Sequence, residues 1–267
     1  MSTKGLKILA ITSGKGGVGK TTFTANLALR LADLGKNVLV LDGDLGLGNV
    51  CISLGLDPEL GLEDFFYEGR RLNDICVVGP GGMKIIPGTS SSPRMARVDA
   101  TRLDKFVREL QFFAGSEDYV LIDTGAGVGR HVLTFLMIAH EVLVLTTPEP
   151  TSMADAYGVI KSFYELGTPA KMSLVVNRCR SVLEAKGVEN KIKLATRKFL
   201  QRELRMFGYV YQSPEIQQLS KEQKLLLLEA PGSRAAEQIK SMAAKVAGVA
   251  DGRSSGNMVE KIMDFIQ

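Results

Sequence analysis

The run Gly14-Lys15-Gly16-Gly17-Val18-Gly19-Lys20-Thr21-Thr22 brings together the residue types that hold a chain of phosphates. Glycines let the backbone wrap a phosphate and aim its N–H groups inward. A helix starting near Lys20 adds the positive end of its dipole. The pattern G-x-x-x-x-G-K-[ST] is met by Gly14, Gly19, Lys20 and Thr21. In it the lysine bridges the β- and γ-phosphates and the hydroxyl ligates Mg²⁺. The bland alternative is a glycine-rich turn with no ligand, and a strand before the loop with a helix after it argues against that.

Two acidic segments accompany the loop. Val38-Leu39-Val40-Leu41 runs into Asp42-Gly43-Asp44, and Ile122 runs into Asp123-Thr124-Gly125-Ala126-Gly127. An acid closing an apolar strand, as Asp123 does, fits a group that holds Mg²⁺ through water. The glycines after it, Gly127 included, let backbone approach a γ-phosphate and move when it leaves. Asp42 and Asp44 suit a metal or water role, because phosphoryl transfer needs alignment and charge stabilisation more than covalent help. The competing reading for each acid is a cap on the next turn.

The elements that must position these groups are legible as alternation. Short runs rich in β-branched residues, at 7–12, 37–42, 83–87, 119–123, 141–146, 172–177 and 209–211, are predicted strands. Several are apolar throughout, as strands buried on both faces are. Helical patterns at 21–34, 100–114, 153–166 and 189–207 separate them. Repeating βα units imply an α/β fold with a doubly wound, mostly parallel sheet flanked by helices. Ligands in such folds sit at the carboxyl ends of the strands, where the motifs above fall.

The second lysine, Lys15, makes the loop KGGVGKTT, which resembles the deviant Walker A motif of the MinD/ParA ATPases. The segments DLGLGNV at 44–50, LGL at 54–56, IDTGAG at 122–127, TTPEPTSMADAY at 146–157 and the isolated Ile86-Pro87-Gly88 narrow the resemblance to the FlhG group (FleN, YlxH) within that family. It spans about residues 7–180. The resemblance implies an ATP hydrolase with ATP and Mg²⁺ as cofactors. Lys15 would reach across a homodimer to the partner's nucleotide, where paired triphosphates need cationic cover. Asp44 would orient the attacking water, and Asp42 would support the metal beside Thr21 and Asp123. Asn177, followed by Arg178, would hydrogen-bond adenine, which suits an amide's donor and acceptor. Glu149 and Asp155 fall near the nucleotide and dimer face; helix capping is the other reading of both, with Thr151 or Ser152 starting the helix. The implied output is control of flagellar number or placement through partners such as FlhF or a transcriptional regulator. One departure stands: the DQAxxLR motif that precedes the loop in many FlhG proteins is absent before Gly14, which puts FlhF activation in doubt.

The ATPase domain is expected to span 1–247, a Gly/Ser-rich linker 248–257, and an amphipathic helix 258–267. Met258, Val259, Ile262, Met263, Phe265 and Ile266 share one helical face. The resemblance makes that face a membrane anchor used in the ATP-bound state of an otherwise cytoplasmic protein; its weakly anionic polar side leaves packing on the protein's own apolar groove as the rival. No run approaches about 18 apolar residues, so none spans a bilayer as a helix. The formal charge of +4 is too mild to argue nucleic acid. The basic stretch at 189–207 reads as a solvated face, or as a site for a partner or nucleic acid. Rivals are a MinD-type division regulator, a ParA-type DNA-binding partition ATPase, a P-loop small-molecule kinase and an iron–sulfur carrier. The carrier would need clustered cysteines, and Cys51, Cys76 and Cys179 are scattered.

Overall fold

A computed structural model describes residues 5–46, 48–88, 92 and 94–249. The strands are β1 (Lys7–Ser13), β2 (Val38–Gly43), β3 (Val77–Val78), β4 (Lys84–Ile86), β5 (Tyr119–Ala126), β6 (Glu141–Thr146), β7 (Lys171–Cys179) and β8 (Arg205–Tyr211). They form a single sheet in the order β3-β4-β2-β5-β1-β6-β7-β8, parallel except where β3 pairs with β4. Its central strands are buried along nearly their whole length, which explains their unbroken apolar runs.

Helices cover both faces. They are α1 (Lys20–Asp33), α2 (Val50–Ser53), α3 (Leu62–Tyr67), α4 (Leu72–Ile75), α5 (Ala100–Phe113), α6 (Arg130–Ile138), α7 (Pro150–Glu165), α8 (Val182–Leu200), α9 (Pro214–Lys221), α10 (Leu226–Glu229) and α11 (Arg234–Ala247). Serine caps start three of them: Ser181, Ser213 and Ser233 each accept a backbone N–H from the first turn of α8, α9 and α11. After β1 the chain moves to β2 and β4 on one side. After β5 it moves to β6, β7 and β8 on the other, so β1 is the switch point whose carboxyl end opens a crevice.

Two apolar layers hold the helices on. One face buries α1 and α11 through Leu27, Leu31, Ile239 and Ala243. The other centres on Phe106, whose ring lies 5.4 Å from Phe65, 5.5 Å from Phe66 and 6.4 Å from Phe135. Phe106→Ala should cost about 3–5 kcal/mol and lower the thermal midpoint by on the order of 10 °C, read by calorimetry.

The structure corrects the reading of one region. The helix expected over 189–207 is α8, which starts earlier and ends at Leu200, where Gln201 takes a left-handed φ of 54°. Arg205 to Tyr211 then form β8, not merely 209–211. The basic run from Lys191 to Arg205 does not continue as one helix: β8 is an edge strand that begins with the exposed Arg205, and Glu189 accepts the Met206 N–H at 3.2 Å. The linker beyond Val249 and the amphipathic stretch 258–267 lie outside the described residues.

Candidate functional site

The loop between β1 and α1 is shaped by contacts that only glycine allows. A Cβ on Gly14 would overlap the backbone of Asp155, so α7 packs directly on the loop. Gly19 has a φ of 98°, and a Cβ there would lie 2.6 Å from the Asn177 amide nitrogen. Asn177 donates to the Val18 carbonyl at 2.7 Å, and the Arg178 guanidinium donates to the Gly17 carbonyl at 2.8 Å. Arg178 itself sits at φ 57°, its N–H closing on the Asn177 side chain at 2.9 Å. The end of β7 therefore clamps the loop. Beside Gly19 a cavity of about 300 Å³, lined by Thr22, Phe23, Asn177, Tyr211 and Ile216, has room for a base.

Inside the loop the charges converge. Lys20 is 9 % exposed, and its ammonium donates to Ser13 Oγ at 3.0 Å. Burial pushes it below the ordinary lysine value, against the pull of Asp123 and Asp44. Thr21 Oγ1 donates to Asp123 Oδ2 at 2.6 Å, and Thr24 Oγ1 donates to Oδ1 at 3.2 Å. Asp123 is 2 % exposed; burial raises its carboxyl to about 6, held from going further by Thr21, Lys20 and Thr24. These residues fit Mg²⁺. A buried carboxylate and a hydroxyl in contact are hard oxygen donors, and a divalent ion beside them would offset the desolvation that now raises Asp123. Thr21 directly, and Asp123 through water, would hold it; the ion would neutralise developing phosphate charge.

The remaining acids divide. Asp42 faces Asp123 across the β2–β5 pairing and is buried, yet its oxygens accept the backbone N–H groups of Val50 at 2.9 Å and Asp44 at 3.3 Å. Burial, and then Asp123, push it up to about 8. A metal contact by Asp42 would compete with those N–H groups. The folded chain holds the Asp42 proton more tightly than the unfolded chain, whose carboxyl has its ordinary value near 4, so this group's contribution falls as pH rises between about 4 and 8. Asp42→Asn keeps an acceptor for Val50. Its thermal midpoint relative to the wild type should therefore rise by on the order of 5 °C from pH 5 to pH 8, and a flat difference would sink the assignment.

Asp44 is half-buried over the end of β5, where a Cβ on Gly125 would stand 3.4 Å from its Oδ1. Gly127, at φ 87°, donates its N–H to the Ser13 carbonyl at 2.8 Å, joining the second acidic segment to the loop. On the outer lip Lys15 Nζ lies 2.8 Å from Glu149 Oε2 and 3.2 Å from Thr151 Oγ1. Glu149 occupies the N-cap position of α7, but its side chain makes no cap bond and goes to Lys15, which holds its carboxyl below the usual range. Ser152 instead reaches back to the Thr147 N–H at 3.0 Å. The exposed Asp155 contributes its backbone to the wall behind Gly14. Ser13 and Thr24 were not singled out in the sequence. Ser13 immediately precedes the motif, and Thr24 lies three residues after Thr21 on the same helical face, which was the available signal.

A phosphate-cradling loop at the switch point, a buried lysine and a threonine–aspartate pair at its floor define a P-loop NTPase. Comparison with known proteins sets it within that class. The ParA family model, described as NUBPL iron-transfer P-loop NTPase, matches residues 5–247. The chain is 35% identical over 242 residues to the antiactivator FleN of Pseudomonas aeruginosa, covering 90% of this chain and 86% of FleN. It is 33% identical to the flagellum site-determining protein YlxH of Helicobacter pylori, covering 89% and 80%. Among solved structures, MinD of Pyrococcus horikoshii complexed with Mg-ADP superposes with a TM-score of 0.77 at 25% identity, covering 94% of this chain and 98% of that one. The chain belongs to the MinD/ParA family of P-loop NTPases and resembles its FlhG members.

Proposed function

We propose that the protein is a Mg²⁺-dependent ATPase of FlhG type. ATP would join two copies face to face, and hydrolysis would return them to monomers. The observation that carries this reading is Lys15. Its ammonium is held on the outer lip by Glu149, both side chains being partly exposed at 41% and 58%, so it is available to a second copy. The ion pair is cheap to break, since exposed pairs contribute about 0–1 kcal/mol. Lys20, Thr21 and Asp123 would serve the phosphates and Mg²⁺ within each copy, Asp44 the attacking water, and Asn177 with Arg178 the adenine side. Glu149, Asp155 and Gly127 would lie along the joined face. The output proposed is control of flagellar number or placement, supported by the likeness to FleN and YlxH. Membrane association through 258–267 is part of the same proposal and rests on sequence alone.

Asp44→Ala should stop hydrolysis while leaving binding intact, so that light scattering finds a stable dimer with ATP and a monomer with ADP. A variant that stays monomeric in ATP would remove the mechanism. The division-regulator and partition readings share this chemistry and differ in partner. An iron–sulfur carrier is not favoured: Cys51 and Cys179 lie in the apolar layers on opposite faces of the sheet, and burial raises their thiols to about 12 and about 11, against thiolate ligation.

A further inference from the structure

The outer face of α8 (Val182–Leu200) carries two exposed leucines on one line. Leu183 and Leu194 are 76% and 69% exposed. They stand three turns apart, roughly 16 Å along the axis, on one line. Between them on that line lie Gly187 and Asn190, so the spacing 183, 187, 190, 194 follows the a and d positions of a heptad. The flanking e and g positions carry Lys186, Lys191, Lys193 and Lys198, with Glu184 at the far end. Lys193 is held by Glu203 at 2.9 Å, and Glu184 accepts the Arg180 N–H. Among the described residues no acidic side chain pairs with Lys186, Lys191 or Lys198. The opposite face of α8 is accounted for by Ala185, Val188 and Ile192, buried against the sheet. Solubility explains the lysines but not the two leucines between them.

We propose that this face docks an acidic amphipathic helix of a partner protein, one with apolar residues at its own a and d positions and glutamate or aspartate at e and g. In a helix pair the e and g charges choose the partner, and a seam lined by lysines on both sides accepts acidic neighbours and repels a second copy of itself. Gly187 lets the incoming helix approach closely, and Asn190 in the seam favours a single register, as polar seam residues do. Leucines on the contact line favour a helix over a nucleic acid backbone, which would use the lysines and leave the leucines without a role. The surface is separate from the nucleotide site, so docking does not require the ATPase reading to be right.

The test uses the full chain and a labelled synthetic peptide of about three heptads, with leucine at a and d and glutamate at e and g. A peptide of the same composition in scrambled order is the control. Fluorescence anisotropy should show micromolar binding of the patterned peptide and at least about tenfold weaker binding of the scrambled one. Leu194→Ser, and separately Lys191→Glu with Lys198→Glu, should each weaken binding at least about tenfold. None of these positions belongs to the nucleotide machinery, so hydrolysis should be unchanged in both variants. Equal binding of the scrambled peptide would reduce the surface to a polyanion attractor and overturn the proposal. So would duplex DNA or phosphatidylglycerol vesicles that bind in a way lost with the lysines and indifferent to Leu194→Ser. Self-association of the wild type abolished by Leu194→Ser would replace the partner with a second copy, overturning it as well.

Discussion

Two inactive variants, Lys15→Ala and Asp44→Ala, are expected to recover ATP hydrolysis when mixed and then given nucleotide. Alone, Lys15→Ala should lose about 10³-fold in turnover, the order found when a cation supplied across an interface is removed from a phosphoryl-transfer site. It should still bind nucleotide, because Lys20 and the loop N–H groups are untouched. Asp44→Ala should be inactive for a different reason, the loss of the carboxylate proposed to align water. In a mixed dimer the Lys15→Ala copy keeps its own Asp44 and receives Lys15 from its partner. One site is then complete, and random pairing of symmetric dimers restores about a quarter of wild-type activity. The geometry motivates the test: Lys15 points to Glu149 on the lip, whereas Lys20 points into the loop toward Ser13. If Lys15 serves the nucleotide of its own copy, neither site of the mixed dimer is complete and the mixture stays inactive.

The fold was readable because burial on both faces leaves a plain trace. Strands such as β5 are apolar up to the acid, so Ile122 and Asp123 mark both a core and a candidate site. The candidate site was readable where a motif fixes residue types at a set spacing, as at Gly14, Gly19, Lys20 and Thr21. Reading failed where a residue acts through a contact set by tertiary placement. Nothing in the spacing tells that Gly14 is small because Asp155 backs it, or that Asn177 and Arg178 hold the Val18 and Gly17 carbonyls. Glu149 shows the same limit: an acid before a helix reads as a cap, and only the fold shows that its carboxylate goes to Lys15. The first residues of β8 were missed for a related reason: the basic run from Lys191 to Arg205 reads on into them as helix, and only the left-handed turn at Gln201 separates the two.

Replacing Asp123 with asparagine is expected to reverse sign between the free and the nucleotide-loaded protein. The carboxyl is buried and its value is raised to about 6. The folded state therefore binds its proton more tightly than the unfolded chain, whose value is near 4. The resulting cost to stability is absent below pH 4, grows through pH 6, and is fully present above it. At pH 7.5 that cost is about 3 kcal/mol before allowance for changed hydrogen bonds, at 1.36 kcal/mol per unit. Asparagine removes it, keeps an oxygen for one of the two threonine hydroxyls and turns its NH2 toward the other, which then accepts rather than donates, so free Asp123→Asn should melt above the wild type at pH 7.5. Bound Mg²⁺–nucleotide changes the comparison. The wild-type carboxylate would then face a divalent cation, and ligand at a hundred times its Kd adds about 2.7 kcal/mol to whichever protein binds it. The asparagine variant, without the anionic oxygen, should gain little from Mg²⁺ and lose about 10²–10³-fold in turnover, as when one preorganised charge stabiliser is removed. Thermal melts of both proteins, free and with Mg²⁺ plus a non-hydrolysable ATP analogue, read this directly. A variant that gains as much as the wild type from Mg²⁺ would show that Asp123 holds no metal. A free variant that melts below the wild type at pH 7.5 would overturn the cost assigned to burying the Asp123 carboxylate.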